Sequence, residues 1–189
     1  MDSRGKDGEA ERSGQNIGKQ RTNYERCHNN GERDEEKYGK KIRINERIVV
    51  DTNIMIAAAL VNGTSRNLLL YAPNEFIAPD TVLGEFESYR NYMMKKTHTT
   101  ISEFYKVKAL IFSNIEIVHF REYHNFIGLA KLLTKDIGDV PFVALALARQ
   151  ADIWSEDKGF PKNKDFGVFT TKDILEQMNR NSLNSDHKV

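Results

Sequence analysis

The stretch that most constrains the fold is IVVDTN at residues 48–53. Three branched apolar residues in a row predict a short strand that is buried on both faces, as in a parallel sheet. Asp51 follows where that strand should end, and Thr52 and Asn53 favour a turn or a helix start. Ligands of open parallel sheets bind beyond the carboxyl ends of the strands. Asp51 is therefore either the first residue of a metal or phosphate site or a simple cap for the next helix.

Short apolar strands alternate with helical patterns along the chain after this point. The sequence predicts strands over residues 48–50, 75–78, 115–120, 151–155 and 168–171. It predicts helices over residues 54–61, 66–71, 82–95, 100–111, 123–133, 142–148 and 173–178. This alternation is typical of an α/β domain, and we expect a three-layer α/β/α sandwich around a short parallel sheet.

Composition divides the chain into tails and one domain. Residues 1–41 carry Gly, Asn, Arg, Glu and Lys with almost no aliphatic side chains. Such a segment buries too little apolar surface to offset its chain entropy, so it is predicted to be a disordered polar tail or an over-long gene start. We expect a single domain over residues 42–180 and a flexible tail over residues 181–189.

Charge and composition exclude several functional classes. The formal charge is +1, so no global field indicates a nucleic-acid partner. The single Cys27 excludes an internal disulfide and a thiolate zinc site, and the histidines are too scattered for an imidazole site. No apolar run approaches the roughly 20 residues that span a bilayer, and the residues from Asp2 onward are polar and lack the apolar h-region of a signal peptide. We expect a cytoplasmic protein without a membrane partner.

Acidic residues recur where the predicted strands end or the following helices begin. They are Asp51, Glu85, Asp136, Asp139 and Asp157. In a parallel sheet these side chains converge on one edge, where each pair at about 5 Å repels by about 3 kcal/mol at an effective dielectric near 20. Divalent cations offset such repulsion, and oxygen ligands without Cys or His favour Mg²⁺ or Mn²⁺.

Each of these acids has a simpler alternative role. Asp139 is placed to cap the following helix, with or without binding a metal. Asp136 is either a ligand or a residue that supports the ligands. Thr52 and Asn53 are suited both to orienting a metal-bound water and to capping. Glu85 and Glu87 lie about 200° apart around a helix, so only one of them can face the sheet edge.

Four segments carry these acids in order: IVVDTNI, FIAPDTVLGEFESYR, DIGDVPFVALALARQADIW and SEDKGF. Together they resemble the PIN-domain family of ribonucleases. The resemblance covers roughly residues 47–178. It implies strand order 3-2-1-4-5 and a Mg²⁺- or Mn²⁺-dependent endoribonuclease that cleaves single-stranded RNA. It selects Glu85 over Glu87 and Asp157 over Glu156. The implied catalytic residues are Asp51, Glu85, Asp139 and Asp157, and the implied metal ligands are Asp51, Asp136, Asp139 and Asp157.

The same resemblance suggests partners. Many family members are toxins held by a protein antitoxin, so RNA, an antitoxin and a second copy of the chain are candidate partners. Arg90, Lys95 and Lys158 are candidate RNA contacts. Two alternatives compete: a non-catalytic RNA- or protein-binding module, and a haloacid-dehalogenase-like phosphatase. The phosphatase would need a general acid two residues after Asp51, where Asn53 cannot supply the proton.

Overall fold

The computed structural model describes residues 44–161 and 163–185. These residues belong to one compact unit of the chain. The tail predicted over residues 1–41 lies outside the described residues, as do residues 186–189.

A five-stranded parallel sheet forms the middle layer. Its strands are β1 (Arg47–Val50), β2 (Glu75–Pro79), β3 (Ile115–Val118), β4 (Asp152–Trp154) and β5 (Val168–Phe169). Their order is β3-β2-β1-β4-β5, and every neighbouring pair is parallel. The α/β/α fold class and the strand order 3-2-1-4-5 are therefore confirmed.

Helices flank the sheet. They are α1 (Thr52–Leu60), α2 (Thr64–Tyr71), α3 (Thr81–Ser88), α4 (Arg90–Thr97), α5 (Ile101–Phe112), α6 (Phe120–Tyr123), α7 (Ile127–Leu133), α8 (Val140–Arg149) and α9 (Thr171–Ser185). A 3-10 turn, His124–Phe126, joins α6 to α7. Helix α1 packs against α2, α3, α4 and α5, whereas α8 packs against α6 and α7. None of the helices within the described ranges combines the length and apolar character needed to cross a membrane.

The core lies on both faces of the central strand. Ile48, Val49 and Val50 are all fully buried, as the apolar run predicts. Helix α8 is buried along most of its length, which its almost entirely apolar sequence also predicts. Trp154 of β4 is fully buried, packs 5.5 Å from the Phe76 ring and donates its indole N–H to Thr171 at 3.1 Å. This close packing gives a rigid base to the sheet edge where the acids lie.

The predicted helix over residues 82–95 is broken. The backbone of Tyr89, at φ −86° and ψ 0°, separates α3 from α4. Leu83, Phe86, Tyr89, Tyr92 and Met93 recur at three- and four-residue spacing, which predicts one packing stripe, but of these only Phe86 and Met93 are buried. The predicted stripe is wrong because the helix is interrupted at Tyr89, so one periodicity does not hold across the whole segment.

Two other boundaries differ from the prediction. Strand β3 ends at Val118, and the single helix predicted over residues 123–133 is instead α6, the 3-10 turn and α7. Helix α9 continues to Ser185 and so enters the segment predicted as a C-terminal tail. Thr170 and Asp173 start this helix with reciprocal hydrogen bonds, which stabilise its first turn.

Thr100 starts α5 with a capping box, which the Thr-x-x-Glu pattern at residues 100–103 predicts. Its hydroxyl accepts from the Glu103 N–H, and the Glu103 carboxylate accepts from the Thr100 N–H at 2.7 Å. We expect Thr100→Ala to lower the free energy of unfolding by about 1 kcal/mol, measured by urea denaturation. Thr100→Ser, which keeps the hydroxyl, should lose less. Equal losses in the two variants would show that the hydroxyl does not stabilise the helix.

Candidate active site

Asp51 lies at the carboxyl end of β1 and is 5% exposed. The Ser155 hydroxyl donates to Asp51 Oδ2 at 2.7 Å, and the Asn53 backbone N–H donates to Oδ1 at 3.4 Å. The Asn53 side-chain amide lies 3.5 Å from Oδ2. Asp51 therefore caps α1 and still lies at the sheet edge, so the two roles proposed for it from sequence are compatible.

Ser155 links Asp51 to Asp157. Val50 pairs with Trp154 across β1 and β4, which places Ser155 beside Asp51 just past the strand ends. The Ser155 hydroxyl oxygen also accepts the Asp157 backbone N–H at 2.9 Å. Glu156 instead accepts the N–H of Thr171 at 2.8 Å, at the start of α9. Of the two neighbouring acids, Asp157 is therefore the one joined to the Asp51 network.

Glu85 is joined to the same edge through Thr52. The Thr52 hydroxyl, 1% exposed at the start of α1, donates to Glu85 Oε2 at 2.7 Å. Glu87 lies on another side of α3, where it accepts from Lys108 at 2.6 Å and from Arg90 at 2.9 Å. The structure thus directs Glu85 toward the start of α1 and directs Glu87 away from it.

Asp139 and Asp136 lie in the loop that leads into α8. The Thr134 hydroxyl is 3.3 Å from Asp139 Oδ2 and accepts the Asp136 N–H at 3.2 Å. Asp139 occupies the N-cap position of α8, but its side chain makes no capping hydrogen bond. The Asp139 carboxylate therefore does not cap α8, which was the alternative role that the sequence suggested for it.

A tight Asp-x-Gly turn orients two of these carboxylates. Gly138 N–H donates to Asp136 Oδ1 at 2.8 Å, and Gly159 N–H donates to Asp157 Oδ1 at 2.7 Å. A Cβ at Gly138 would lie 3.2 Å from Asp136 Oδ1, and one at Gly159 would lie 3.1 Å from Asp157 Oδ1. Glycine therefore permits a close approach of backbone and carboxylate that a larger residue would crowd.

The four aspartates affect one another electrostatically. Burial, followed by the Asp136 charge and then by Asp51 and Asp157, raises the pKa of Asp139 to about 6. Burial also raises the pKa of Asp51, against the opposing effect of the Ser155 hydrogen bond, and the Asp157 charge adds to the increase. Asp51, Asp136, Asp139 and Asp157 therefore share one negative field.

These residues fit a hard divalent cation. Within residues 44–161 and 163–185, no three Asp, Glu, His or Cys side chains are close enough to enclose a metal ion as they stand. Mg²⁺ does not require such a cage, because it keeps several waters and binds through one or two carboxylates plus substrate phosphate. The acids supply only oxygen donors, which suit such an ion. Their mutual repulsion, which contributes to the raised pKa of Asp139, is what a bound cation would offset.

The predicted RNA contacts lie in different settings. The Arg90 guanidinium bonds Glu87 and the Tyr105 hydroxyl, on the side of α3 away from Glu85. Lys95 is exposed in the last turn of α4. Lys158 is exposed between Asp157 and Gly159, next to the acidic edge. Of the three, Lys158 is the one that adjoins the acids in sequence.

Sequence reasoning missed four supporting residues: Ser155, Thr134, Gly138 and Gly159. The glycines carry a recognisable signal, because Asp-x-Gly occurs at both Asp136 and Asp157. Ser155 follows the fourth strand directly, as Asp51 follows the first, but its contact with Asp51 depends on the pairing of β1 with β4. Thr134 gives no comparable local signal.

A parallel sheet of order 3-2-1-4-5 with acids at its carboxyl edge defines an open α/β domain with one acidic edge. The PIN domain family profile matches residues 49–178, and the chain belongs to this family. PIN domains are generally nucleases, so the chain is of a nuclease kind.

A solved structure shares the fold. The crystal structure of VapBC2 from Rickettsia felis, bound to a DNA fragment from their promoter, aligns with a TM-score of 0.53 and 19% sequence identity. The alignment covers 66% of this chain and 98% of that chain. No curated protein matches this chain. At this identity the likeness concerns the fold.

Proposed function

We propose that this protein is a metal-dependent endoribonuclease that cleaves single-stranded RNA. The observation that carries the proposal is the set of acids joined at the carboxyl edge of the sheet, where Ser155 bonds Asp51 Oδ2 and the Asp157 N–H, and Thr52 bonds Glu85. Burial and then the charges of the neighbouring aspartates raise the pKa of Asp139, and a bound cation would offset that repulsion. Membership of a nuclease family supports the same conclusion.

The proposed roles follow the contacts. Asp51, Asp139 and Asp157 hold Mg²⁺ or Mn²⁺, and Asp136 either joins them or supports Asp139. When bound, the ion supplies an activated water and offsets negative charge at the phosphodiester. Ser155 fixes the Asp51 carboxylate and the start of the Asp157 loop. Thr52 holds Glu85 toward the same edge. Asn53 steadies Asp51 and provides no proton for phosphatase chemistry.

Incubation of purified protein with a panel of single-stranded RNAs tests the proposal. We expect cleavage with Mn²⁺ or Mg²⁺, no cleavage in EDTA, and products with 5′-phosphate and 3′-hydroxyl ends. A 2′-deoxy nucleotide at the cleaved position should still be cut, because a metal-activated water rather than the 2′-hydroxyl attacks. Asp51→Asn protein, purified in parallel, controls for contaminating ribonucleases. Equal cleavage in EDTA would contradict the metal-dependent mechanism.

We also propose a protein antitoxin as a partner, so that the nuclease is the toxin of a toxin–antitoxin pair. The support is the family and the shared fold with VapBC2.

A homodimer stays a prediction. Leu83, Tyr92 and Leu110 of the α3–α5 layer are exposed apolar side chains that such a contact would cover. Lys95 and Lys158 are the proposed phosphate contacts, whereas Arg90 would first have to leave Glu87.

A further inference from the structure

Phe120 lies at the same edge of the sheet as the acids. It is the first residue of α6, two residues after β3, and its side chain is 53% exposed. Val118 pairs with Pro79, and the β1–β2 register brings Pro79 level with Asp51. Val118 is therefore two strand spacings from Asp51, about 10 Å. A nucleic-acid strand lying across this edge from Asp51 would pass Phe120.

Contacts with neighbouring residues orient the Phe120 ring. It contacts the fully buried Tyr123 ring edge-on, with centroids 5.5 Å apart. The Tyr123 hydroxyl donates to Asp80 Oδ1 at 2.8 Å, and the Phe120 N–H donates to Asp80 Oδ2 at 2.9 Å. The His124 ring lies 6.0 Å from Phe120. An exposed aromatic ring so anchored loses little conformational freedom when a ligand binds.

The charges around Phe120 suit a polyanion. Arg121 follows it in sequence and is exposed, and His119, which precedes it, is exposed and lies with Nδ1 3.7 Å from Asp80 Oδ2. The two nearby acids have partners, because Glu122 pairs with Arg149, and Asp80 lies beside His119 and accepts two hydrogen bonds from α6. Aromatic rings combined with basic groups are the usual means of binding single-stranded nucleic acid.

The setting of Phe120 differs from that of a scattered surface aromatic. Tyr71 is more exposed, at 78%, but it ends α2 just before β2 begins and so lies toward the amino edge of the sheet. Tyr92 and Tyr105 belong to α4 and α5 and do not follow a strand. Phe120 thus combines exposure with a place directly after a strand at the acidic edge.

We propose that Phe120 is a stacking platform for one base of the RNA strand, displaced along the strand from the bond that is cut. This inference rests on the proposed endoribonuclease function and adds a substrate subsite to it. Stacking uses the face that every base presents, so the platform selects an unpaired base without selecting its identity. Phe120 does not contact the reacting phosphate, so it contributes to binding and leaves the chemical step unchanged.

An abasic scan tests this subsite. A single abasic nucleotide is placed at successive positions around a fixed cleavage site, and KM and kcat are measured for each RNA. With wild-type protein we expect KM to rise about 10-fold at one position and little elsewhere. Phe120→Ala should raise KM for the intact RNA by a similar factor, leave kcat unchanged and show no further rise at that position.

Matched variants separate stacking from general effects. Phe120→Trp should keep the position-dependent effect, whereas Phe120→Leu, which is apolar but lacks a π face, should lose it. Tyr71→Ala, an aromatic deletion at the opposite edge, should match wild type. Thermal unfolding of each variant checks that the fold is intact. The same abasic penalty at the same position in wild type and in Phe120→Ala overturns the inference.

Binding measurements distinguish failure of this inference from failure of the nuclease proposal. The dissociation constants of the same fluorescein-labelled RNAs are measured in EDTA by fluorescence anisotropy. A penalty at one position that depends on Phe120 supports the platform even if no RNA is cut, and in that case only the nuclease proposal is wrong. Cleavage without any Phe120-dependent position overturns the platform alone. If the RNAs are neither cut nor bound, both proposals are wrong.

Discussion

Amide substitution at any of the four proposed catalytic acids should lower RNA cleavage by about two orders of magnitude or more. The variants are Asp51→Asn, Glu85→Gln, Asp139→Asn and Asp157→Asn. Each keeps the side-chain shape but removes a charge that holds the cation or orients its water. The fold should survive because the substitution removes repulsion rather than packing. Initial rates on one single-stranded RNA at saturating Mn²⁺, together with thermal unfolding, give the measurement.

Glu87→Gln and Glu156→Gln are the matched controls. Each acid is a close sequence neighbour of a proposed catalytic residue but bonds elsewhere, Glu87 to Lys108 and Glu156 to the Thr171 N–H. Both variants should keep most of the activity. An inactive Glu87→Gln beside an active Glu85→Gln would reverse the assignment on α3. Wild-type rates in all four acid variants would remove the basis for a metal nuclease at this edge.

Stability should depend jointly on pH and on divalent cation. An unfolded Asp139 titrates near 3.8, whereas burial and then Asp136 raise its folded pKa to about 6. Between these values the folded state holds the extra proton, so the metal-free protein loses stability as pH rises from about 4 to 6 and stays less stable above. Because Asp139 is partly solvated, we expect this loss to be about 1 kcal/mol.

A divalent cation should reverse this loss. At a concentration 100 times its Kd, Mn²⁺ adds about 2.7 kcal/mol to the free energy of unfolding. The gain should be largest above pH 6 and fall below it, where protons compete for Asp139. Urea denaturation from about pH 4 to 8, with Mn²⁺ or with EDTA, measures both effects.

Asp139→Asn isolates the contribution of this residue. The variant should show a smaller pH-dependent loss and a smaller Mn²⁺ gain, whereas Glu156→Gln should show both effects at the wild-type size. Asp152, whose pKa burial also raises, lies at the start of β4 and should contribute to the pH dependence without affecting the Mn²⁺ gain. A Mn²⁺ gain of undiminished size in Asp139→Asn would show that the ion binds without this carboxylate.

The sheet could be predicted because each strand carries its signal locally. The apolar sequences of residues 48–50 and of α8 predict that both are buried, whichever elements pack against them. Strand order came from the family resemblance rather than from periodicity. The helix break at Tyr89 could not be read in this way, because no proline or paired glycines mark it. The faces that Leu83 of α3 and Tyr92 of α4 present depend on where these two helices pack, which is information from outside the segment.

The acids of the candidate site could be proposed from the sequence, whereas Ser155, which supports Asp51, could not. Helical geometry predicts that Glu85 and Glu87 face different ways, and the family resemblance selects Glu85. In the structure Glu85 accepts a hydrogen bond from Thr52, whereas Glu87 pairs with Lys108. Ser155 could not be found by local reasoning, because its partner Asp51 lies 104 residues away in sequence. Its role follows from strand register, which a single sequence does not specify. The Phe120 platform likewise depends on which strand lies two places from β1.

The Asp-x-Gly turns at Asp136 and Asp157 have a consequence for how this site tolerates change. Each carboxylate is oriented by a backbone N–H two residues along its own chain, so each turn is a self-contained unit. Glutamate at either position would preserve the charge but place it one carbon beyond that N–H. The turns therefore specify side-chain length as well as charge. Insertions elsewhere in these loops can change the surroundings of the acids while leaving their orientation intact.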